Sequence, residues 1–502
     1  MKRGVLGSTL VLLGGLLISV LPASTPLLRF APLVALRDER AGRMLGLAVV
    51  VIGLGLCASA WLRLCREVAG ATGPAARQAL TRVCTAAVLW SLPLLVAPPL
   101  FSRDGWSYAA QGTMVEIGIS PYDYGPWVLG GPIVEAVDPV WMYTRTPYGP
   151  LPLGLGALAA AHTRDPWLLV IAHRLIALVG LALLAWAVPR LAAWTRADVP
   201  LAGAIVLASP LMLANGVAGL HNDLLMIGLM AAALVVAVER SWLWGAALGG
   251  AAAAVKLPGG LVCLAIVLVA LPAGAGLRAR ISRAVSVAGV SLGTVVALGL
   301  VVGVGVGWVR GLAVPVTFDT VLSPPTVLGN LLDWLVATLL PGPGWGRFGV
   351  DALRHLALLA TAVILIGLGV RTPTGDRVAA LRALAIAMVA LVVLSPVVHP
   401  WYLLWPLPFA AALALPRGAW HALMAVAVVG GVAAPLDSTL YDAYVAVSLA
   451  SLLIAAISAA LLVTRRARAR MERLEDVRHG GGERGAVGAG ASFPGRPGKP
   501  AV

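Results

Sequence analysis

Residues 101–126 combine an acid, a phenol and an amide at helical spacing. Asp104, Tyr108 and Gln111 are four and three residues apart, so they lie on one face of a short helix that begins at Asp104. The turn at Ser120-Pro121-Tyr122 follows. A carboxylate accepts a proton, whereas amides and aromatic hydroxyls bind sugar hydroxyls, so the segment is equipped to bind a sugar. The alternative is that Asp104 is an ordinary carboxylate at a membrane interface.

A second polar group follows an apolar segment at His221-Asn222-Asp223. Asn and Asp are good helix caps, and this reading stays open. Acids and histidines at membrane depth are costly, however, which favours a functional role. A further histidine, His399, precedes Pro400-Trp401-Tyr402. An aromatic belt at the membrane surface explains this Trp and Tyr, but explains His399 less well.

Three basic side chains are candidates for binding a phosphate. Lys256 lies between two apolar segments, where it either faces an anion or extends to the interface. Arg174 lies seven residues into an apolar segment, too deep for that second explanation. Arg145 is followed by Thr146-Pro147-Tyr148, which the proline holds extended. We expect Tyr148 and these cations to contribute to donor or acceptor binding.

Composition places these residues in a membrane protein. Of the 502 residues, 60% are hydrophobic and 12% are charged, and the mean hydropathy is +0.92. A soluble core cannot bury that much apolar surface. The net charge of +15 resides mostly in short loops between apolar segments, which indicates membrane orientation and excludes nucleic acid. The four cysteines lack metal-ligand spacing.

The apolar segments predict an all-α fold, a polytopic transmembrane helical bundle of about 13–14 spans. The candidate spans are 4–23, 43–62, 84–101, 167–189, 200–218, 224–239, 242–254, 258–273, 284–309, 352–370, 382–398, 402–415, 420–435 and 441–463. The first is interpreted as an uncleaved helix rather than a signal peptide. With this count all arginine clusters fall on one side, which the positive-inside rule makes cytoplasmic.

The same topology predicts a transmembrane domain over 1–464 with two long outer loops. Residues 102–166 form the first, which contains Asp104, and residues 310–351 form the second. Within them, two segments are expected to be interfacial or re-entrant helices: 147–163, which is apolar but rich in Pro and Gly, and 324–345, which is amphipathic and bracketed by Pro. Residues 465–502 are basic and Gly-rich, and are expected to be a disordered cytoplasmic tail.

Six motifs in order carry a resemblance to a known family. These are S-R-D-G-W-S-Y with G-I-S-P-Y, T-P-Y-G-P-L, H-N-D-L-L-M, V-K-L-P, S-P-P-T-V and S-P-V-V-H-P-W-Y, spread over residues 84–410. The chain resembles the polyprenol-phosphate-mannose-dependent α-1,6-mannosyltransferases, which are integral-membrane enzymes of the C superfamily of glycosyltransferases. The resemblance implies that Asp104 is the catalytic base, that Asp223 is the second acid and that Lys256 lies near the donor phosphate.

The activity implied is that of a plasma-membrane hexosyltransferase facing the outside of the cell. It would move mannose from a polyprenyl-phosphate donor to a glycolipid or mannan-type acceptor with inversion, giving an α-1,6 linkage. No cofactor is expected, and no metal, because Asp104 is followed by Gly105-Trp106 rather than completing a D-x-D. The alternatives are another lipid-linked sugar transferase, for example of arabinofuranose, or a flippase. Acids clustered on one side favour an enzyme.

Overall fold

The computed structural model describes residues 1–314, 318–320, 322–339, 346–436 and 469. Within these ranges the secondary structure is helical and contains no β-strand, which confirms the all-α fold. The last predicted span, 441–463, lies outside the described residues. The predicted tail, 465–502, does so as well, apart from Ala469.

Nineteen α-helices are described, and they are labelled in chain order. Their bounds are α1 Lys2–Ile18, α2 Ala31–Asp38, α3 Arg40–Val68, α4 Gly73–Leu95, α5 Asp104–Glu116, α6 Pro139–Met142, α7 Pro150–Ala160, α8 Pro166–Trp194, α9 Val199–Ala208, α10 Asp223–Glu239, α11 Trp242–Ala253, α12 Val262–Val269, α13 Leu277–Val302, α14 Trp308–Gly311, α15 Pro324–Leu339, α16 Phe348–Arg371, α17 Arg377–Leu394, α18 Leu407–Ala411 and α19 Arg417–Val432. A π-helix covers Met212–Ala218, and short 3₁₀ turns cover Pro26–Arg29, Pro126–Val128, Gly131–Ile133, Leu257–Leu261, Pro400–Leu404 and Ala434–Leu436.

Six helices in the described part of the chain are long and apolar enough to cross a membrane by themselves, namely α3, α4, α8, α13, α16 and α17. A seventh crossing is formed if α9 and the π-helix, which are bent by 52°, count as one broken span. Helices α1 and α10 have 17 residues each, close to the length that a crossing needs. The protein is therefore a multi-pass membrane protein, while the total of 13–14 spans stays a prediction.

Several predicted spans differ from the helices observed, and two of them show the physical reason. The third, 84–101, is the helix Gly73–Leu95, which begins eleven residues earlier and ends before Pro98-Pro99. The twelfth, 402–415, is instead the turn Pro400–Leu404 followed by the five residues of α18. Proline lacks the amide hydrogen that a continuous helix requires, so Pro400, Pro406 and Pro408 break this segment.

The most buried part of the bundle is α9, the π-helix and α10, which have hardly any exposed residues. Helix α10 packs closely on α8 because glycines meet at the crossing. A Cβ on Gly228 would lie 2.4 Å from the carbonyl oxygen of Gly180, so only glycine permits this approach. The contact places the beginning of α10 beside the middle of α8.

The first predicted outer loop contains helices too short to span. Helix α5 packs against α7 and α8, and α7 is only 11 residues long. Its interfacial or re-entrant placement stays a prediction. In the second loop α15 packs along α16. The bundle thus presents α5, the beginning of α10 and the turn after α11 to one common region.

Candidate active site

Helix α5 begins at Asp104, as its sequence spacing predicts. The hydroxyl of Ser102 accepts a hydrogen bond from the Asp104 backbone N–H at 3.1 Å, immediately before the helix. Phe101, immediately before, has φ of +67°, a conformation uncommon outside glycine. Asp104 is only 4% exposed, and no arginine pairs with it in the described part of the chain. A buried carboxylate must be satisfied by hydrogen bonds from its neighbours.

Two tyrosines supply these hydrogen bonds. The hydroxyls of Tyr108 and Tyr148 each lie 3.2 Å from Oδ2 of Asp104, and 3.1 Å from one another. Their rings meet edge to face with centroids 5.1 Å apart. Nδ1 of His221 approaches the same Oδ2 at 3.5 Å. No group in the described part of the chain donates to Oδ1, so one carboxylate oxygen remains available to a substrate.

Two hydrogen bonds within the first loop position the segment that contains Tyr148. Oε1 of Gln111 accepts a hydrogen bond from the Thr146 hydroxyl at 3.0 Å. The Tyr122 hydroxyl donates to the Tyr148 carbonyl oxygen at 2.8 Å. Gln111 and Tyr122 therefore position the extended segment 146–148 rather than contacting Asp104.

The second acid lies at the beginning of α10. The π-helix and then Leu220, with φ of +57°, turn the chain so that His221, Asn222 and Asp223 are all buried. Oδ1 of Asp223 accepts hydrogen bonds from Nζ of Lys256 at 3.0 Å and from Nε1 of Trp405 at 2.6 Å. Its Oδ2 is buried with no partner in the described part of the chain. Isolated π-helical turns occur frequently at functional sites.

Lys256 joins the two acidic groups. It follows α11, and its ammonium lies 4.4 Å from the ring centre of Tyr402, 5.2 Å from that of Trp405 and 5.8 Å from that of Tyr148. Aromatic faces attract cations at such distances. The aromatic rings and Asp223 thus hold the cation of Lys256 in a buried position.

His399 reaches the same region through a three-ring stack. The indole of Trp401 lies between two imidazoles, at 3.7 Å from the ring centre of His221 and 4.4 Å from that of His399, with interplanar angles of 16° and 5°. The interpretation of Trp401 and Tyr402 as an aromatic belt misses this contact with the site. Trp405 is a site residue that the sequence analysis misses. Its spacing of three and four residues from Tyr402 and Trp401 places it on the same side of a helical turn, which is the signal that could have identified it.

Two of the predicted phosphate-binding residues lie away from this cluster. Arg145 is exposed, and its Nε donates to the backbone carbonyl of Asp123 at 3.3 Å. Arg174 is fully buried, but its guanidinium donates to five backbone carbonyls, those of Leu95, Ala97, Pro98, Val217 and Ala218. A guanidinium has five N–H donors. Arg174 therefore has no donor left for a phosphate, contrary to the expectation from its position in the sequence.

The charges around Asp104 keep it ionised. Burial alone would raise the pKa of its carboxyl, but His221, followed by the more distant charges of His399 and Lys256, outweighs burial and holds the pKa at about 2. Burial, and next the charge of Asp104, raises the pKa of Tyr108 and of Tyr148 well above 10. The site therefore contains a carboxylate and two phenols that remain hydrogen-bond donors. Among the described residues no three His, Cys, Asp or Glu side chains are grouped to bind a metal.

An apolar groove begins beside this cluster. Its volume is ≈ 230 Å³, and it runs from Tyr148 and Leu257 along α13, where Ala288, Leu292 and Val295 line it. Leu257 and Leu292 are 57% and 52% exposed, so the groove opens at the apolar side of the bundle. Tyr148 contributes to both features, because its hydroxyl contacts Asp104 and the residue also lines the groove.

Comparison with known proteins yields two matching family models. Residues 1–272 match a model described as alpha-(1->6)-mannopyranosyltransferase, N-terminal domain, and residues 325–465 match the MptB C-terminal domain. The first range contains Asp104, Asp223 and Lys256, and the second contains His399.

Individual relatives have similar names. The chain is 34% identical to alpha-(1->6)-mannopyranosyltransferase A of Mycobacterium tuberculosis over 444 residues, which cover 84% of this chain and 81% of that protein. A probable alpha-(1->6)-mannopyranosyltransferase of Mycolicibacterium smegmatis is 31% identical, covering 78% and 74%. Alpha-(1->6)-mannopyranosyltransferase B of Corynebacterium glutamicum is 28% identical, covering 71% and 64%.

Proposed function

Since this chain belongs to the alpha-(1->6)-mannopyranosyltransferase family, we propose that it transfers mannose from a polyprenyl-phosphate donor to a mannan- or lipomannan-type acceptor. The reaction would take place at the outer face of the plasma membrane and form an α-1,6 linkage with inversion at the anomeric carbon. One observation carries the proposal: the ionised Asp104 and the ammonium of Lys256 both lie beside Tyr148, a residue that also lines an apolar groove.

The groove and Lys256 support a lipid-linked donor. A polyprenyl chain is apolar and would occupy the groove along α13, where Leu292 and Val295 provide an apolar wall. The phosphate would then lie near Lys256, which immediately precedes the groove-lining Leu257. A preorganised cation in a buried site stabilises the negative charge that develops on a leaving phosphate.

Asp104 is the proposed general base. Its Oδ2 is engaged by Tyr108, Tyr148 and His221, which leaves Oδ1 for the acceptor hydroxyl. The tyrosines fix the direction of the carboxylate, and general base catalysis of this kind contributes roughly 10²–10⁴ in rate. Holding both substrates in reacting geometry would contribute as well.

The proposed step balances as a single displacement. The acceptor oxygen forms a bond to C1 of mannose while the bond from C1 to the phosphate oxygen breaks. The proton of the acceptor hydroxyl goes to Asp104, and polyprenyl phosphate leaves with the electron pair of the broken bond. Attack from the face opposite the phosphate turns a β-linked donor into an α-linked product.

The placement of the arginines predicts which side of the membrane the site faces. The basic loops between the predicted spans fall on one side, which the positive-inside rule makes cytoplasmic, and α5 belongs to the opposite side. A reporter inserted near residue 130 is therefore expected to be external, and one fused after residue 470 cytoplasmic. Both reporters on the same side would contradict this topology.

The test is an assay with membranes that contain the protein, radiolabelled polyprenyl-phosphate mannose and a synthetic α-mannoside acceptor, followed by linkage analysis of the product. We expect α-1,6-linked mannose from the lipid donor and none from a nucleotide-linked mannose. The variant Asp104→Asn should lose at least about 100-fold in turnover, because the amide cannot accept the proton.

The matched control is Asp123→Asn. Asp123 is a carboxylate in the same loop, but it is exposed and pairs with Arg310. Its variant should keep turnover within a factor of about two, since exposed ion pairs contribute little. Equal losses in both variants, or full turnover in Asp104→Asn, would remove Asp104 as the base.

A further inference from the structure

Each of the two buried acids is preceded by a residue in the left-handed conformation. Phe101, with φ of +67°, lies three residues before Asp104, and Leu220, with φ of +57°, lies three residues before Asp223. The described part of the chain contains one other non-glycine residue with positive φ, Arg196. A conformation of this kind persists only where the surrounding structure enforces it, and such residues cluster at active sites.

Arg174 contacts the chain immediately before both turns. Its guanidinium donates to the carbonyls of Leu95, Ala97 and Pro98 at 2.9, 2.6 and 3.3 Å, and these residues lead into Phe101. It also donates to the carbonyls of Val217 and Ala218 at 3.1 and 3.4 Å, which lead into Leu220. One buried side chain therefore forms hydrogen bonds with both of the segments that lead to the two acids.

The two segments also touch directly at this point. The backbone N–H of Leu100 donates to the Ala218 carbonyl oxygen at 3.1 Å. This carbonyl is shared with Arg174, so the guanidinium and the amide close one network between the end of α4 and the end of the π-helix. The segments are more than 110 residues apart in the sequence, and no helix in the described residues contains both.

We propose that Arg174 is a positioning residue that sets the distance between Asp104 and Asp223. The inference rests on the proposed function in one respect, namely that both acids act in sugar transfer. Helix ends leave carbonyls without partners and carry partial negative charge. Arg174 satisfies carbonyls at two such ends at once, and these ends balance its charge, since among the described residues it has no carboxylate partner.

A lysine at position 174 cannot form the same set of hydrogen bonds. An ammonium has three donors on one atom, whereas the planar guanidinium has five donors spread over three nitrogens. In Arg174→Lys the charge is kept, but at least two of the five hydrogen bonds to the carbonyls are lost. We expect the two turns to separate or shift while the groove and Lys256, which Arg174 does not contact, remain as they are.

The experiment compares the wild type with Arg174→Lys and Arg174→Met in the donor assay. A misplacement of about 1 Å costs on the order of 100-fold in rate, so kcat of Arg174→Lys should fall about 100-fold with KM for the lipid donor changed less than about threefold. Hydrogen exchange should accelerate in peptides covering 95–104 and 215–224 together, and in no other part of α4 or α10.

Leu184→Ala is the matched control. Leu184 is fully buried in α8, ten residues beyond Arg174, and has no contact with either turn through hydrogen bonds. Its variant should be less stable overall yet keep kcat and leave exchange at the two turns unchanged. Because exchange needs no substrate, it also reports on Arg174→Met if that variant is inactive.

Two results would overturn the proposal. One is a kcat within about threefold of the wild type in Arg174→Lys, and the other is exchange that accelerates at only one turn or throughout the bundle. A wild type that transfers no mannose from the lipid donor would instead remove the proposed function, and the exchange result would still decide whether Arg174 couples the two turns.

Discussion

The ion pair between Lys256 and Asp223 allows a test that separates folding from catalysis. Nζ lies 3.0 Å from Oδ1, and the side chains are 11% and 0% exposed. At this distance and an effective dielectric constant of about 20, the attraction is on the order of 5 kcal/mol. Desolvation offsets much of this, but removing one partner leaves the other charge buried and alone, which costs about 3–5 kcal/mol.

The perturbation is the double-mutant cycle of Lys256→Met and Asp223→Asn. We expect Lys256→Met to lower the free energy of unfolding by about 3–5 kcal/mol, because Asp223 then keeps only Trp405 as donor. In the double variant the asparagine oxygen still accepts from Trp405 and no charge is left unpaired. The double variant should therefore recover about 2–3 kcal/mol of this loss.

The measurement is equilibrium unfolding in mixed detergent micelles with increasing dodecyl sulfate, together with turnover from the lipid donor. Turnover should stay at least about 100-fold below the wild type in both Lys256→Met and the double variant, since neither has the cation for the phosphate. Arg240→Met, which removes an exposed cation at the other end of α10, is the control and should change neither quantity.

Two outcomes would refute the reasoning. A coupling energy below about 0.5 kcal/mol would mean that the two charges do not stabilise one another. Recovered turnover in the double variant would mean that Lys256 serves only to balance Asp223, and that another group faces the phosphate.

Three further predictions concern the groove, the pH profile and the ring stack. Ala288→Phe fills the groove, so it should raise KM for long-chain polyprenyl donors at least fivefold and leave KM for a short-chain analogue unchanged. Gly289→Phe, at the adjacent position with open space around it, is the control and should leave KM for both donors unchanged. Because the pKa of Asp104 is about 2 and that of Tyr108 lies well above 10, the base is ionised throughout the range from about pH 5 to pH 9 and loses its charge only as the pH falls through its lowered pKa. The wild-type kcat/KM should therefore show no limb from this pair in that range. His221→Gln removes the main group that lowers this pKa, so it should move the acid limb to higher pH, and an acid limb that stays in place or moves to lower pH would contradict the assignment. Trp401→Leu removes the indole between the two imidazoles and should lower kcat about tenfold, whereas Trp401→Phe, which keeps an aromatic face, should recover most of it; equal rates in both variants would show that the stack does not position His221.

Much of the local structure followed from the sequence. The start of α5 and the shared face of Asp104, Tyr108 and Gln111 were predictable because helical periodicity depends only on residues a few positions apart. The helix bounds were less so: α4 begins well before its predicted start, since an arginine near a helix end costs little at a membrane surface. Segment 402–415 is apolar enough for a span, but its prolines prevent a continuous helix.

The basic residues show where sequence reasoning stops. Arg145, Arg174 and Lys256 were all candidates for binding a phosphate, since each is a cation in or near an apolar segment. The structure brings only Lys256 to the acids, leaves Arg145 exposed and uses every donor of Arg174 on backbone carbonyls. Burial and charge are similar for Arg174 and Lys256, and only their partners differ.

The sequence by itself determined the membrane class, the helical fold, the family and the face of α5 that carries Asp104. Each of these depends on composition, on short periodicity or on the order of motifs, all of which are local along the chain. The tertiary structure alone decided the pairing of Lys256 with Asp223, the hydrogen bond from Trp405 to the same acid and the hydrogen bonds from Arg174 to two distant turns. These contacts join residues 33 to 182 positions apart, and such partners are selected by packing rather than by residue type.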